Sequence, residues 1–419
     1  MPLYKLPRGT LDILPAEQVY WEYVKHKAIA LCQLYGYQRL DTPAFEDFNL
    51  FARSMGEGTD IVDKEMYTLE DKSGKKMSLR PEGTAPVCRA YLEHGLYNLP
   101  QPVRLYYFAT VFRYERPQAG RYRQHYQFGF EAIGDADPAL DAEIISMTWH
   151  FCLSLGLKGL CLQLNSIGCK VCRPHYLENL RRHYSACLTQ LCPDCKARLI
   201  RNPLRLLDCK KKSCQEAIEA APKSINYLCQ ECKAHFESIQ RYLELLGIPF
   251  KVSHRLVRGL DYYTRTVFEI QSPGEGIQNA LGGGGRYDEL IEELGGKSTA
   301  AVGFAAGMER IILNLKRQKV SIPALPKPGI FIAYLGDEAK AEAIKLAFKL
   351  RQAGIATITA MGGRSLKAQL RQANTSGASY SVIIGEDEVK NQTVVLRNMI
   401  TKEQKTIPST ELEELFRRD

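Results

Sequence analysis

The sequence predicts an α+β fold, in which helices flank an antiparallel sheet, a helical cysteine-rich segment is inserted, and an α/β domain follows. Residues 104–114 and 124–133 are rich in aromatic and β-branched side chains and enclose a polar loop, which is typical of a long antiparallel hairpin. Four close cysteine pairs lie between residues 169 and 232. After a proline-rich segment at 321–329, strand and helix patterns alternate, which predicts parallel strand pairing in a small α/β domain.

Length and composition favour a cytosolic protein of several domains. The 419 residues exceed one ordinary core, so we expect two or three domains. The start of the chain has no apolar run after a basic stretch, and no segment reaches the roughly 18 apolar residues that cross a bilayer. The net charge of +9 favours a polyanionic partner such as nucleic acid, although solubility alone would also explain it.

The spacing of apolar residues predicts the individual elements. Residues 16–36 have a helical repeat ended by a glycine, and residues 37–46 predict a short strand that a proline confines to a sheet edge or an interface. Residues 261–270 predict a strand, and the glycine-rich residues 282–288 predict a loop or bend. Further predicted elements are helices at 140–155 and 235–247, a strand passing into a helix at 301–312, strands at 329–335, 355–360 and 380–384, and helices at 338–353 and 365–375.

The hairpin is the first candidate site. Arg113, Arg116, Arg121 and Arg123 surround Glu115 in and beside its loop. Guanidinium groups stay charged and bind phosphate oxygens in a fork, so the cluster suits the α-phosphate and pyrophosphate of ATP. In the second strand, polar residues alternate with aromatic ones, which predicts a polar site wall on one face. The alternatives are a solvated turn and the wet face of a sheet.

Two later segments also suit a phosphate-containing ligand. Arg258 precedes a glycine and a strand with Tyr262 and Tyr263, which would place a cation and phenolic hydroxyls in one pocket, although strand tyrosines often only fill a core. Glycines at a strand–helix junction allow Arg310 to lie beside a ligand. The segment lacks the ending of a Walker loop and the glycine spacing of a dinucleotide-binding loop, which disfavours the usual parallel-sheet nucleotide folds.

These segments resemble the motifs of one family, the histidyl-tRNA synthetases, which are class II aminoacyl-tRNA synthetases, and the similarity is to the bacterial type. Residues 112–117 and 120–124 resemble motif 2 in its histidine-specific form, and residues 258–263 resemble the family's signature peptide. The remaining matches are motif 1 at 41–43 with the helix before it, motif 3 at 303–310, and the segments 7–12 and 79–84. The resemblance covers essentially the whole chain, including a C-terminal anticodon-binding domain.

The resemblance implies a cytoplasmic, homodimeric ligase of protein biosynthesis. Such an enzyme joins L-histidine to ATP as histidyl-adenylate and transfers it to tRNA(His), with release of AMP and pyrophosphate. The substrate carboxylate is the nucleophile, so catalysis depends on positioning and charge stabilisation, and Mg²⁺ accompanies ATP. The implied parts are the two halves of a class II antiparallel-sheet catalytic core at 1–168 and 236–320, a cysteine-rich insertion at 169–235, and an anticodon-binding domain at 327–419.

The resemblance also implies residue roles. Arg113 would bind the α-phosphate, and Arg258 would place a second cation near this phosphate and the substrate carboxylate. The other ATP-binding residues would be Glu115, Arg121, His125 and Arg310. The histidine-binding residues would be Glu82, Thr84 and Gln127 at the α-amino group, Glu131 and Tyr263 at the imidazole, with Arg258 and Tyr287 beside them. The tRNA acceptor end would contact Arg116 and Gln118.

Two positions depart from the family pattern: His125 replaces the phenylalanine on which adenine stacks, and the run at 282–285 has one extra glycine.

The cysteine-rich segment predicts metal binding. Its pairs suit two tetrahedral zinc sites with thiolate ligands, and buried reduced cysteines are the alternative. The spacing does not fix which pairs combine. In the family this region is an insertion over the acceptor arm of the tRNA. The candidate ligands are Cys169, Cys172, Cys192, Cys195, Cys209, Cys214, Cys229 and Cys232.

Two other functions compete with the synthetase interpretation. The synthetase-like regulatory subunit of ATP phosphoribosyltransferase binds histidine without charging tRNA, and it generally lacks the signature arginine and the C-terminal domain. This chain has Arg258 and residues 327–419 at these places. A zinc-dependent nucleic-acid-binding protein would explain the cysteines and the charge but not the polar pocket motifs.

Overall fold

The structure, a computed structural model, describes residues 3–56, 59, 61–117, 120–274 and 279–417. Gln118, one of the predicted tRNA contacts, lies outside these ranges. The chain divides into two compact units, Met1–Ile322 and Pro323–Asp419, so the division falls within the proline-rich segment. Among the described helices, none has the length and apolarity needed to cross a membrane.

The first unit is built on an eight-stranded sheet with the order β1-β5-β6-β11-β10-β9-β7-β8, beside a small sheet with the order β2-β4-β3. Its strands are β1 (Gln38–Arg39), β2 (Phe45–Asp47), β3 (Thr68–Glu70), β4 (Lys76–Leu79), β5 (Val103–Phe112), β6 (Gln124–Ile133), β7 (Cys161–Ser166), β8 (Phe250–Val252), β9 (Thr264–Gln271), β10 (Ala280–Arg286) and β11 (Ala301–Gly307). Its helices are α1 (Gln18–Leu34), α2 (Phe48–Met55), α3 (Thr84–Glu93), α4 (Pro138–Ser154), α5 (Arg173–Ala186), α6 (Pro193–Arg201), α7 (Gln215–Glu219), α8 (Gln230–Leu245), α9 (Leu290–Glu293) and α10 (Met308–Arg317).

The predicted antiparallel core is confirmed. In the large sheet, neighbouring strands pair antiparallel except at its two ends, where β1 pairs parallel with β5 and β7 pairs parallel with β8. Aromatic side chains on one sheet face pack together. The ring centroids of Phe128 in β6 and Phe151 in α4, for example, are 5.0 Å apart. Because this face is buried under α1, α4, α8 and α10, the alternate side chains of β6 face the opposite side of the sheet.

The glycine run is a central strand, so the predicted loop at 282–288 is wrong. β10 lies between β9 and β11, where the backbones approach so closely that side chains do not fit. A Cβ atom at Gly284 would lie 1.9 Å from the carbonyl oxygen of Gly303. The strand signal was hidden because glycine has low strand propensity, and here close strand packing overrides it. The predicted strand at 261–270 begins three residues later, at Thr264.

The second unit is an α/β domain with the strand order β13-β12-β14-β15-β16. Its elements are β12 (Ile330–Tyr334), α11 (Asp337–Gln352), β13 (Thr357–Thr359), α12 (Leu366–Ser376), β14 (Tyr380–Ile384), α13 (Glu386–Asn391), β15 (Thr393–Asn398), β16 (Gln404–Pro408) and α14 (Glu411–Arg417). The predicted parallel pairs are confirmed for β12 with β13 and β14. The antiparallel β15–β16 addition was missed, because β16 is largely exposed and has no apolar alternation.

Candidate active site

The polar face of β6 borders a cavity in the first unit, between the hairpin, α3, β10 and the start of α10. The residues predicted to bind ATP or histidine all line it: Glu82, Thr84, Arg113, Glu115, Arg121, His125, Gln127, Glu131, Arg258, Tyr263, Tyr287 and Arg310. Arg116 is exposed and lies outside this lining. The fold therefore joins side chains from five separate sequence segments in one place.

A fully buried carboxylate, that of Glu131, lies on the cavity wall. It accepts hydrogen bonds from the hydroxyls of Thr84 at 2.7 Å, Tyr287 at 2.7 Å and Tyr107 at 3.3 Å. A Cβ atom on Gly303 would lie 1.5 Å from Glu131 Oε2, so only glycine leaves room for this carboxylate. Burial raises the pKa of Glu131 to about 8, against the lowering effect of the hydroxyls.

The N-terminus of α3 forms the next part of the wall. Glu82, which precedes the N-cap residue Gly83, accepts hydrogen bonds from the backbone N–H groups of Thr84 at 2.6 Å and Ala85 at 2.8 Å. Its carboxylate therefore satisfies the first N–H groups of the helix while lying beside the cavity. Burial raises the pKa of Glu82, and these two N–H groups oppose that rise. Within the described residues, the buried Oε1 of Gln127 has no hydrogen-bond partner. An acceptor left free in this position suits a ligand that donates N–H groups.

Three arginines line the cavity at the hairpin and at the start of α10. Arg113 Nε donates to the carbonyl oxygen of Pro81 at 2.8 Å, which fixes the guanidinium at the base of the hairpin. The largely buried Glu115 forms an ion pair with Arg121 and lies 3.9 Å from Arg113. Arg310, in the first turn of α10, donates weakly to backbone carbonyls at 3.3 and 3.4 Å. Burial lowers the pKa of Arg310, and the neighbouring Arg121 adds to this effect. Three cations held this close would gain from a bound polyanion.

His125 lies on β6 among these arginines. Burial lowers its pKa to about 3, and the charges of Arg113 and Arg310 add to this effect, so the imidazole is neutral at physiological pH. Its Nδ1 atom is buried without a hydrogen-bond partner in the described part of the chain. A neutral ring at this position keeps the flat surface that base stacking requires.

Arg258 approaches the cavity from the side of β9 and β10. Its Nη1 donates to Glu269 Oε2 at 2.9 Å, while its Nε lacks a partner among the described residues. A Cβ atom at Gly283 would lie 2.6 Å from Arg258 Nη1. Gly283 therefore provides the space in which this guanidinium lies, which accounts for one of the four glycines in the run.

Sequence reasoning missed two residues that line the cavity, Glu269 and Glu309, and one that supports its wall, Tyr107. Tyr107 contacts Glu131, Glu269 pairs with Arg258, and Glu309 accepts from the backbone N–H of Tyr126 at 2.9 Å. Burial raises the pKa of Glu309 to about 7. The sequence could have indicated Glu269, because it is a single acidic residue within the strand pattern of β9. Tyr107 could not be distinguished from tyrosines that only fill a core.

The end of β10 is fixed by a buried ion cluster. The side chain of Arg286 is fully buried and donates from Nε to Asp141 Oδ2 at 3.0 Å and from Nη1 to Asp288 at 3.2 Å. Burial alone would raise the pKa of Asp141, but Arg286 and His235 hold it at about 2. Because Arg286 directly precedes Tyr287, this cluster sets the position from which Tyr287 donates to Glu131.

The antiparallel sheet with its cavity, together with the separate α/β unit, is the architecture of a class II aminoacyl-tRNA synthetase. The family model described as histidyl-tRNA synthetase matches residues 9–311, and the one described as anticodon binding domain matches residues 329–419. The chain belongs to the histidyl-tRNA synthetase family.

Individual relatives agree with this assignment over their full length. The histidine–tRNA ligase of Dehalococcoides mccartyi is 58% identical over 410 residues, covering 98% of each chain. That of Caldanaerobacter subterraneus is 48% identical over 415 residues, covering 99% of this chain and 100% of its own. The crystal structure of apo S. aureus histidyl-tRNA synthetase superposes with a TM-score of 0.84 at 39% identity, covering 99% of this chain and 100% of that one.

Proposed function

We propose that the protein ligates L-histidine to tRNA(His) through histidyl-adenylate, with ATP as the other substrate and AMP and pyrophosphate as products. The observation that supports this most directly is the pairing, in one cavity, of a buried acceptor for an imidazole with a set of arginines for a triphosphate. Full-length similarity to histidine–tRNA ligases supports the same reaction.

The proposed roles follow from where each group lies. Glu131 would accept an imidazole N–H, with Tyr263 beside it, and Tyr287 and Thr84 would keep the carboxylate in place. Glu82, Thr84 and Gln127 would hold the α-amino group. Arg113 and Arg258 would stabilise charge at the α-phosphate and on the attacking carboxylate. Arg121 and Arg310, with Glu115 holding Arg121, would bind the distal phosphates and adenine, and His125 would stack on the base. Mg²⁺ would enter with ATP as part of the substrate.

The regulatory-subunit alternative shares the fold. A chain described as an ATP phosphoribosyltransferase regulatory subunit/histidyl-tRNA synthetase from Bacillus halodurans superposes with a TM-score of 0.65 at 23% identity, which reflects the fold alone. The position of Arg258 in the cavity and the second unit favour the synthetase. A site that only stored histidine would not need three further arginines around a neutral ring.

Pyrophosphate exchange into ATP tests the proposal directly. We expect exchange with L-histidine and none above background with the other nineteen amino acids, because buried polar groups around the imidazole would be left unpaired by an apolar side chain. The matched control is histidinol, which has the imidazole and amino group but lacks the carboxylate that attacks ATP. Folded protein that binds histidine but supports no exchange would favour the regulatory-subunit alternative.

The second unit is the proposed anticodon-binding domain, at 327–419. Deleting it should reduce tRNA charging far more than histidine activation, since every described residue of the cavity belongs to the first unit. Aminoacylation and pyrophosphate exchange, measured on the same preparation, check this prediction. An equal loss of both activities would instead assign the domain a role in folding or in dimer geometry.

Several finer features belong to the same proposal. The catalytic core would comprise 1–168 and 236–320, with an insertion at 169–235 that contains structural zinc. Arg116 and Gln118 would contact the tRNA acceptor end, a role that the exposure of Arg116 permits. The protein would act as a homodimer through the elements that resemble motif 1. It would work in the cytoplasm, where ATP, Mg²⁺ and tRNA are present.

A further inference from the structure

The cysteine-rich insertion contains two separate groups of four sulfur atoms. Within each group, the four Sγ atoms all lie within 4.8 Å of one another. The neck cluster is Cys169, Cys172, Cys229 and Cys232, and the loop cluster is Cys192, Cys195, Cys209 and Cys214. The structure thereby resolves the pairing that spacing left open, since the first cysteine pair joins the last and the two middle pairs join each other.

The neck cluster has the dimensions of a tetrahedral metal–thiolate centre. Its Sγ–Sγ distances are 3.8 Å for Cys169–Cys172, 3.9 Å for Cys169–Cys229 and 3.8 Å for Cys172–Cys232. Four sulfurs at about 2.3 Å from a central zinc are about 3.8 Å apart, whereas a disulfide requires about 2.05 Å. The Cys169 backbone N–H also donates to Cys172 Sγ at 3.3 Å, a bond that supports a thiolate.

The loop cluster is more completely shielded from solvent than the neck cluster, in which Cys169 and Cys229 are half-buried. All four of its cysteines are buried, in a small core formed with apolar residues of α5, α6 and α7. The backbone N–H of Cys192 donates to Cys214 Sγ at 3.2 Å. Eight cysteines that only filled space would not be expected to meet as two closed groups of four, each built from two close sequence pairs.

We propose that the insertion binds two structural Zn²⁺ ions, one in each cluster, with four thiolate ligands and no open coordination position. The neck ion would tie the two ends of the insertion together, because Cys172 directly precedes α5 and Cys229 directly precedes α8. The loop ion would close the segment between Cys195 and Cys209. Closed, all-thiolate sites of this kind stabilise a fold rather than perform chemistry.

Both ions support the loop that contains Arg258. Next to the neck cluster, Arg173 Nη2 donates to the carbonyl oxygen of Tyr263 at 2.6 Å. Within the segment that the loop ion closes, Arg205 Nη1 donates to the carbonyl oxygen of Arg258 at 3.2 Å, and Asn202 Nδ2 donates to Asp261 at 2.9 Å. Arg205 and Asn202 are therefore positioning residues, and the loop ion acts through them. This consequence rests on the proposed function, whereas the metal sites do not.

Metal analysis of the full-length protein, purified with reductant and Zn²⁺ and then dialysed against metal-free buffer, tests the sites. Inductively coupled plasma mass spectrometry should give about two zinc ions per chain. Cys172→Ser and Cys214→Ser should each retain about one, and the double variant about none. Cys187→Ser, a half-buried cysteine of the same insertion outside both clusters, should retain the wild-type content.

Two results would overturn the sites. One is wild-type protein with well under one zinc per chain, and the other is a full metal content in Cys214→Ser. Co²⁺ substitution of the wild-type protein needs no variant and should produce sulfur-to-metal charge-transfer bands with the d–d bands of a tetrahedral centre. In a Cys214→Ser protein that keeps the neck ion, histidine-dependent exchange should fall at least several-fold; an unchanged rate would refute the support of the Arg258 loop while leaving the metal sites standing.

Discussion

Replacing Arg258 by alanine should lower the maximal rate of histidine-dependent pyrophosphate exchange by about 10²–10³-fold, the loss expected when one preorganised charge-stabilising group is removed. The KM for histidine should change less. The guanidinium lines the same cavity as Glu131 and the arginines of the hairpin. Its charge would therefore act mainly where the attacking carboxylate meets the α-phosphate. Steady-state exchange at varied histidine and ATP separates the two parameters.

The ion pair between Arg258 and Glu269 requires a specific control. Arg258→Ala leaves Glu269 without its ion-pair partner at 2.9 Å, although Gln271 still donates to it. The uncompensated carboxylate would itself repel phosphates. The double variant Arg258→Ala/Glu269→Gln removes this charge as well. If Arg258 stabilises the reaction, the double variant stays slow; recovery to near the wild-type rate would assign the defect to Glu269.

Arg255 is the matched control for the arginine substitution. It lies three residues upstream and contacts Gln215 at 2.7 Å and Glu219 at 3.6 Å rather than the cavity. Arg255→Ala should therefore leave the exchange rate within about twofold of wild type, as for other surface substitutions. Equal losses in the two variants, or an undiminished rate in Arg258→Ala, would remove Arg258 from the mechanism.

How much of this site could be predicted depended on whether the information was local in sequence. Arg113, Arg121 and Glu131 lie in one hairpin, so their alternation and clustering indicated a shared wall before any fold was known. The loop at 258–263 and the start of α10 were predicted from short motifs of the same local kind.

The missed features depend on contacts between distant segments. β10 is a strand because β9 and β11 approach it closely, and nothing within Gly282–Gly285 itself indicates those neighbours. Cys169 and Cys229, whose Sγ atoms are in contact, are sixty residues apart in the sequence. The cysteine spacing could therefore suggest which residues are metal ligands, but not which of them share an ion. Tyr107 was indistinguishable from a core tyrosine until Gly83 and Gly129 were seen packed against its ring.

Glu131→Gln should raise the KM for histidine by about 10–100-fold, the cost of losing one hydrogen bond to a charged group. The KM for ATP should stay close to wild type, because the hydrogen bonds of Glu131 within the described residues are made with Thr84, Tyr107 and Tyr287 and not with the arginines. Glutamine keeps the shape that Gly303 accommodates and can still accept from Thr84 and Tyr107, so the fold should persist. The matched control is Glu143→Gln, a carboxylate bonded to Arg104 at 3.0 Å away from the cavity. An unchanged KM for histidine in Glu131→Gln would exclude this carboxylate from imidazole recognition.

The same substitution should change how stability depends on pH. Burial raises the pKa of Glu131 to about 8 in the folded protein, above its unfolded value, so the folded state binds the proton more tightly. This contribution is fully present below the unfolded pKa and is lost as pH rises through about 8. Between these limits the wild-type unfolding free energy should fall relative to Glu131→Gln by up to about 1.4 kcal/mol per pH unit. Urea unfolding of both proteins from pH 5 to 9 measures the difference between their unfolding free energies at each pH. If the two free energies changed in parallel with pH, the hydroxyls of Thr84, Tyr107 and Tyr287 would keep the carboxylate ionised throughout. The apo site would then already hold the charge that accepts an imidazole N–H, and histidine binding would release no proton from Glu131.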